Sequence, residues 1–370
     1  MKFLIALALS TAYAADSDCA DSDDWAHQNR EGLGCKWVSE YAVQRCKVNG
    51  NINGERVLAQ DACLYSCGKC EEETGVRRNA KDLFQYMCPH DFIPPNKVPC
   101  DEAFEQSPAD ITVGAIGELG PNLPTSRSRY QDIDKCAANV HWHLGSEHYN
   151  KGTFDVRGDK FLESLTGKRK LAGDVTPGYF CNKDAGGYDE NDPMYTTEYE
   201  WEYCENMHVG YTYEVHWPHS DATPCGMMSD GLGGLFCLKM PTKAGVEGQV
   251  FVIVNDDSGK YDQPRLIEHM VDVTLESDIA KYTGSSTGTS HDNEVCSPYN
   301  VQWQVDRACH KVSARSFDAM CKVMKEVHGM YLDLFPHGSR VLVDPAFVSS
   351  EPMTRKLRGS APEGPGYTWH

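Results

Sequence analysis

The sequence predicts a mainly β (α+β) chain: a domain around a large twisted central sheet, preceded by a small disulfide-rich module. Three observations carry this. Short apolar or alternating stretches at 136–143, 199–203, 211–217, 234–240, 249–254 and 300–305 are separated by Gly, Pro, Asp and Ser clusters, the pattern of a sheet-rich domain. Helical spacing is confined to 80–86 and, more clearly, 316–328, where Phe317, Met320, Cys321, Met324 and Val327 share one face. The 16 cysteines are unevenly spread, six between Cys19 and Cys70 and ten from Cys88 to Cys321.

Taken from the start, Lys2 precedes an apolar run over residues 3–9 and then small residues ending in Ala12-Tyr13-Ala14. A basic start, a short apolar core and an A-x-A site make residues 1–14 a secretory signal peptide, so the mature chain is expected to be secreted and to begin near Ala15 or Asp16. No later segment approaches the ~20 apolar residues of a spanning helix. An even number of cysteines agrees with an oxidising destination, where they pair. Residues 16–71 are too short and polar to build a core unaided, so cross-links have to restrain their unfolded state. Cys67-Gly68-Lys69-Cys70 is a single C-x2-C pair, whereas a structural zinc ribbon has two, which favours disulfides there. A polar stretch at 72–80 reads as a linker, and the second domain takes 81–370.

With 54 acidic against 35 basic residues, the net charge of −19 would repel phosphate backbones and anionic lipid. Nucleic-acid and membrane-surface roles are therefore disfavoured. Asp256-Asp257-Ser258-Gly259 lacks the rest of a calcium-loop spacing and reads as a turn. Gly231-Leu232-Gly233-Gly234 lacks the Gly-Lys-Ser/Thr ending of a phosphate loop, and Lys168-Arg169-Lys170 reads as a solvated loop.

The informative chemistry begins at His141-Trp142-His143. Two histidines at i and i+2 of a strand share a face, close enough to hold one ion. In Tyr213-Glu214-Val215-His216-Trp217, Glu214 and His216 share the other strand's face, and a carboxylate beside a ligating histidine fixes its tautomer. Three neutral imidazoles leave the fourth tetrahedral position of zinc for water, whose pKa the metal lowers to about 7. His219 competes with His216 as third ligand. The Glu-x-His spacing favours His216, and Pro218 is expected to end the strand before His219. Cobalt or cadmium could occupy the same site.

Two resemblances follow from these residues. The C-x3-C-x2-C ending at Cys63, Cys67 and Cys70, with Trp25 and Cys35-Lys36-Trp37 upstream, resembles a ShKT-like six-cysteine module over residues 16–71. That resemblance implies the pairs Cys19–Cys70, Cys35–Cys63 and Cys46–Cys67, and an accessory unit for an unknown extracellular partner. His141-Trp142-His143, Ser146-Glu147-His148 and Glu214-Val215-His216 resemble the ligand framework of α-type carbonic anhydrases. Gln106-Ser107-Pro108-Ala109-Asp110-Ile111, Gly284-Ser285-Ser286-Thr287-Gly288 and Val301-Gln302-Trp303-Gln304-Val305 follow in that family's order. The long cysteine-rich connections make 81–350 more similar to the δ class of algal carbonic anhydrases.

The resemblance implies an α-carbonic-anhydrase-like domain that hydrates carbon dioxide. Zinc would be held by His141, His143 and His216, with Glu214 as the hydrogen-bond partner of His216. Thr287 would orient the attacking oxygen, with Glu147 accepting from its hydroxyl; Thr283 and Thr289 are close competitors for that place. A fast hydratase also needs a proton carrier, for which His148, His208 and His219 are candidates by proximity in sequence alone. Two other readings share the scaffold: a zinc esterase, and a binding protein without catalysis.

Overall fold

The computed structural model describes residues 97–119, 135–166, 175–237, 243–274, 276–288 and 290–349, with three short strands nearer the N-terminus. The chain divides into two compact units, Met1–Arg77 and Arg78–His370. In the first, β1 (Ala26–His27), β2 (Asn49–Ile52) and β3 (Glu55–Leu58) pair antiparallel in that order. The signal peptide, the three ShKT-like cysteine pairs, the linker, the helix expected at 80–86 and the basic 168–170 stretch lie outside the described residues.

The second unit contains β4 (Val98–Pro99), β5 (Cys136–Ala137), β6 (His141–Leu144), β7 (Phe154–Arg157), α1 (Gly158–Thr166), β8 (Tyr179–Cys181) and α2 (Pro193–Thr196). They are followed by β9 (Thr212–Ser220), β10 (Ala244–Val254), β11 (Ile279–Ser285), β12 (Val295–Cys296), β13 (Asn300–Ser313) and α3 (Ala314–Glu326). Six strands form a mixed sheet in the order β11-β13-β10-β9-β5, with β6 also on β9. The pairing of β10 with β13 is parallel and the rest is antiparallel. β5 and β6 take successive stretches of one edge of β9: Cys136 lies opposite Ser220, and His141 opposite His216. The expected mainly β architecture around a large sheet is what the chain adopts.

Burial explains the layout. Every residue of β9 and β10 is buried, as inner strands covered on both faces must be. One face packs Trp142, Leu144, Tyr213, Val215 and Trp217 against Phe317, Met320 and Met324 of α3. The other gathers Val246, Val250, Tyr282, Val301, Trp303 and Val305. Ser313 caps α3 by accepting from Ser316 N, so the helix starts two residues earlier than its apolar spacing suggested. The disulfides Cys100–Cys296, Cys136–Cys225, Cys181–Cys309 and Cys204–Cys321 cross-link distant segments, and Cys237 is disulfide-bonded as well.

Several local expectations are corrected. Pro218 does not end its strand: β9 runs on through His219 to Ser220, because the Pro218 carbonyl accepts from Ala138 N at 2.9 Å and holds the strand in the sheet. Residues 199–203 form no strand, since the N–H groups of Glu202, Tyr203 and Cys204 donate to the Asp318 carboxylate of α3 instead of to a ladder. Gly231–Phe236 is a 3-10 helix, with Gly234 pressed so closely on the Ala138 carbonyl that a Cβ would lie 2.1 Å from its oxygen. β11 and α1 were not anticipated. β11 alternates half-buried and buried positions with small residues among them, a weak apolar signal.

Phe317 meets Trp142 edge-on at 5.0 Å, joining α3 to β6. Phe317→Ala is expected to lower stability by about 3–5 kcal/mol in denaturant unfolding. A loss below about 1 kcal/mol would mean that the helix does not hold β6 in place.

Candidate metal centre

Cross-strand pairing builds the site. His141 lies opposite His216 and His143 opposite Glu214, so all four side chains project from one face of the sheet. The three imidazole rings are mutual neighbours, with centroids 5.3 Å apart for His141 and His143, 5.2 Å for His141 and His216, and 4.8 Å for His143 and His216. A fourth ring joins them. His337 stacks on His141 at 5.3 Å and stands edge-on to His143 at 5.7 Å. The sets whose ligating atoms converge within 4.8 Å are His141–His143–His337, His143–Glu147–His216 and His148–Glu214–His216. His143 and His216 are thus each shared between two sets.

Two of the proposed ligands have one nitrogen engaged by the protein. His141 Nδ1 lies 2.5 Å from Asn139 Oδ1, and His143 Nδ1 lies 3.1 Å from the Gly338 carbonyl. Both acceptors require a protonated Nδ1, which leaves Nε2 bare. His216 Nε2 lies 3.3 Å from Glu214 Oε1 without a hydrogen bond between them. His143 Nε2 and both ring nitrogens of His216 are buried without a hydrogen-bond partner. Buried imidazole nitrogens left bare are costly unless something binds them, and a divalent cation fits such a donor set.

The electrostatics keep His141 and His143 neutral. Burial lowers the pKa of His141 well below the usual histidine value, and neighbouring histidines lower it further. Burial also takes His143 down to about 4, against the opposing pull of Glu147. Glu214 is pushed up by burial, but His148 and His216 outweigh this and hold it well below the usual carboxylate range. Its Oε2 accepts from Ser146 Oγ at 3.1 Å, Glu147 N at 2.6 Å and His148 N at 3.3 Å. Its Oε1 lies 2.6 Å from His148 Nδ1. His148 is therefore the closer of its two histidine partners.

The sequence model of the delta carbonic anhydrase family matches residues 133–316, from just before β5 into α3. The chain belongs to the delta carbonic anhydrase family. A solved structure titled as the complex of an alpha-carbonic anhydrase from Thermovibrio ammonificans with the inhibitor sulfanilamide is similar over 63% of this chain and 82% of that one. At 13% identity and a TM-score of 0.23, that likeness carries no argument. No curated protein matches the chain.

The other residues that the sequence nominates in this carbonic anhydrase are placed unequally. Glu147 is at the cluster: its Oε1 accepts from Arg340 N at 2.7 Å, while Oε2 is 3.5 Å from His143 Nε2. Thr287, just past β11, makes no side-chain hydrogen bond among the described residues, so it is not joined to Glu147. His219 belongs to none of the converging sets. It lies an odd number of residues from His216 on the same strand, hence on the opposite face, and its Nδ1 donates to the Trp217 carbonyl at 2.8 Å. The His208 ring is tilted against Tyr211 with centroids 4.8 Å apart, and His148 is fully enclosed by Glu214, Tyr282 and Trp303.

Sequence reasoning missed Asn139, Asp333 and His337. Asn139 carries a signal, two residues before His141 and so aimed the same way along an extended chain. Asp333 and His337 lie in a non-repetitive segment nearly two hundred residues downstream and carry none.

His216→Ala is expected to abolish stoichiometric metal binding while His219→Ala retains it, as measured by metal content after dialysis. The reverse result would restore His219 as the ligand. Burial takes the pKa of His219 down to about 3, from 6.5 in the unfolded chain. Its contribution to stability is therefore full above pH 6.5 and is lost as pH falls from 6.5 toward 3. Denaturation midpoints should decline over that window, and less steeply in His219→Asn.

Proposed function

We propose that the chain catalyses the reversible hydration of carbon dioxide to bicarbonate and a proton at a zinc ion held by His141, His143 and His216. The observation that supports this most is the trio of clustered imidazoles, two of them with Nδ1 engaged by the protein, in a member of the delta carbonic anhydrase family. Zinc, when bound there, supplies Lewis acidity that makes water a nucleophile near neutral pH. Cobalt or cadmium would find the same donors.

The protein's own groups orient and poise that site. Asn139 and the Gly338 carbonyl hold His141 and His143 in the tautomer that presents Nε2. Glu214, kept ionised, lies 3.3 Å from His216 Nε2, and a carboxylate so placed makes the ring a stronger donor. His148 and Tyr282 brace Glu214 from behind: the phenol, its pKa raised well above the usual value by burial, donates to His148 Nε2 at 2.7 Å, and His148 Nδ1 donates to Glu214. Trp303 stands 5.0 Å from the His216 ring and keeps water from that side. Glu147 Oε2, 3.5 Å from His143 Nε2, has no hydrogen-bond partner, and on the family resemblance alone we assign it the hydrogen bond of the Thr287 hydroxyl.

The same reading places the enzyme outside the cytosol. The signal-like residues 1–14 and the four described disulfides support an oxidising destination. No helix among the described residues is long and apolar enough to cross a membrane. The ShKT-like module at 16–71 would serve as an accessory binding unit.

Stopped-flow hydration on the purified chain, with metal content from the same sample, tests the proposal. The expected result is fast hydration with about one zinc per chain, rising through pH ~7, and loss of both metal and turnover in His143→Ala. A folded, zinc-loaded chain that hydrates nothing would overturn the reaction. Unchanged zinc in His143→Ala would overturn the ligands.

A further inference from the structure

We propose that Asp333 is a positioning residue of the metal centre, acting through Asn139 to decide which nitrogen of His141 faces the ion. The inference rests on the metal reading above. Asp333 is 2% exposed, and its oxygens serve separate partners. Oδ2 accepts from Asn139 Nδ2 at 2.7 Å and from Gly231 N at 2.8 Å, while Oδ1 lies 3.0 Å from His337 Nε2. Asn139 Nδ2 also donates to the Ser229 carbonyl at 2.8 Å.

Both amide hydrogens of Asn139 are therefore spent on acceptors. Turning the amide over would set its oxygen against a carboxylate and a carbonyl, leaving two acceptors without a donor. Oδ1 is thereby committed to His141 Nδ1, 2.5 Å away, and an amide oxygen accepts only from a protonated nitrogen. His141 is held as the Nδ1–H tautomer with Nε2 bare. The Asp333 carboxylate is what makes this choice one-sided, because it offers no donor of its own. An asparagine at 333 could present either an oxygen or an amide group, and the orientation of Asn139 would then be held by Ser229 alone.

The same segment reaches the site three more times. Asp333 ties down His337, whose ring stacks on His141; Gly338 O engages His143; and Arg340 N engages Glu147. All of these residues lie beyond 316, where the family match ends.

The test is zinc affinity by chelator competition, with the absorption spectrum of the cobalt-substituted protein, in wild type, Asp333→Asn, Asn139→Ala, His337→Ala and the Asp333→Asn/Asn139→Ala double variant. Asp333→Asn should weaken zinc about 10-fold and shift the cobalt bands. The double variant should be no weaker than Asn139→Ala, because the two residues act in series. His337→Ala should weaken zinc less than Asp333→Asn. Unchanged affinity and spectrum in Asp333→Asn, or additive losses in the double variant, would overturn the proposal. A match between His337→Ala and Asp333→Asn would also overturn it, since the carboxylate would then act through His337. Should Asp333→Asn fail to fold, imidazole nitrogen NMR of the zinc-loaded wild type decides: an Nε2–H tautomer at His141 refutes it, and an Nδ1–H tautomer that persists in Asn139→Ala refutes it too. A wild type that binds no zinc would instead fail the metal reading itself.

Discussion

The antiparallel pairing of β6 with β9 sets His141 opposite His216 and His143 opposite Glu214, and every other contact at the metal centre is arranged around that register. Side chains alternate along a strand, so a slip of one residue would turn all four away and bring in Trp142 and Val215. What resists the slip is on the reverse of the sheet. Trp142, Leu144, Tyr213, Val215 and Trp217 are buried together against α3, and none of them could move to the site face without exposing a large apolar surface. Apolar packing on one face thereby fixes polar chemistry on the other.

Glu214 is the second constraint, because an ionised carboxylate at the centre of a domain is destabilising by several kcal/mol unless it is fully engaged. The protein surrounds it with donors from a single turn, Ser146, Glu147 and His148, and with two imidazoles. That turn depends on Gly145. Its φ of +73° belongs to the left-handed region, and a Cβ there would lie 2.8 Å from the Gly178 backbone. Meeting the needs of one buried charge thus dictates the path of the chain on leaving β6.

The segment from Asp333 to Arg340 closes the free edge of β6. Leu144 N donates to the His337 carbonyl at 2.9 Å, and His337 N donates to the Trp142 carbonyl at 2.8 Å. An edge strand carrying two proposed ligands would otherwise present unpaired backbone groups. Covering it brings the His337 ring and the Gly338 carbonyl to the histidines, so edge protection and ligand orientation come from the same residues.

How much of this was legible in the sequence depended on the range of the interaction. His141 and His143 sharing a face, and Glu214 sharing one with His216, follow from strand alternation within a few residues. The helical stripe of α3 and most inner strands likewise show in local periodicity. Residues 199–203 misled because their backbone donors go to Asp318, far away in the chain, and Pro218 misled because its carbonyl accepts from Ala138 N beside β5 and the strand stays intact. Sequence could not pair the later cysteines, which depends on where loops are folded. Local alternation determined which side chains point together. Only the tertiary structure decided that His337 and Asp333 join them, because nothing in the chain's local chemistry encodes a contact across nearly two hundred residues.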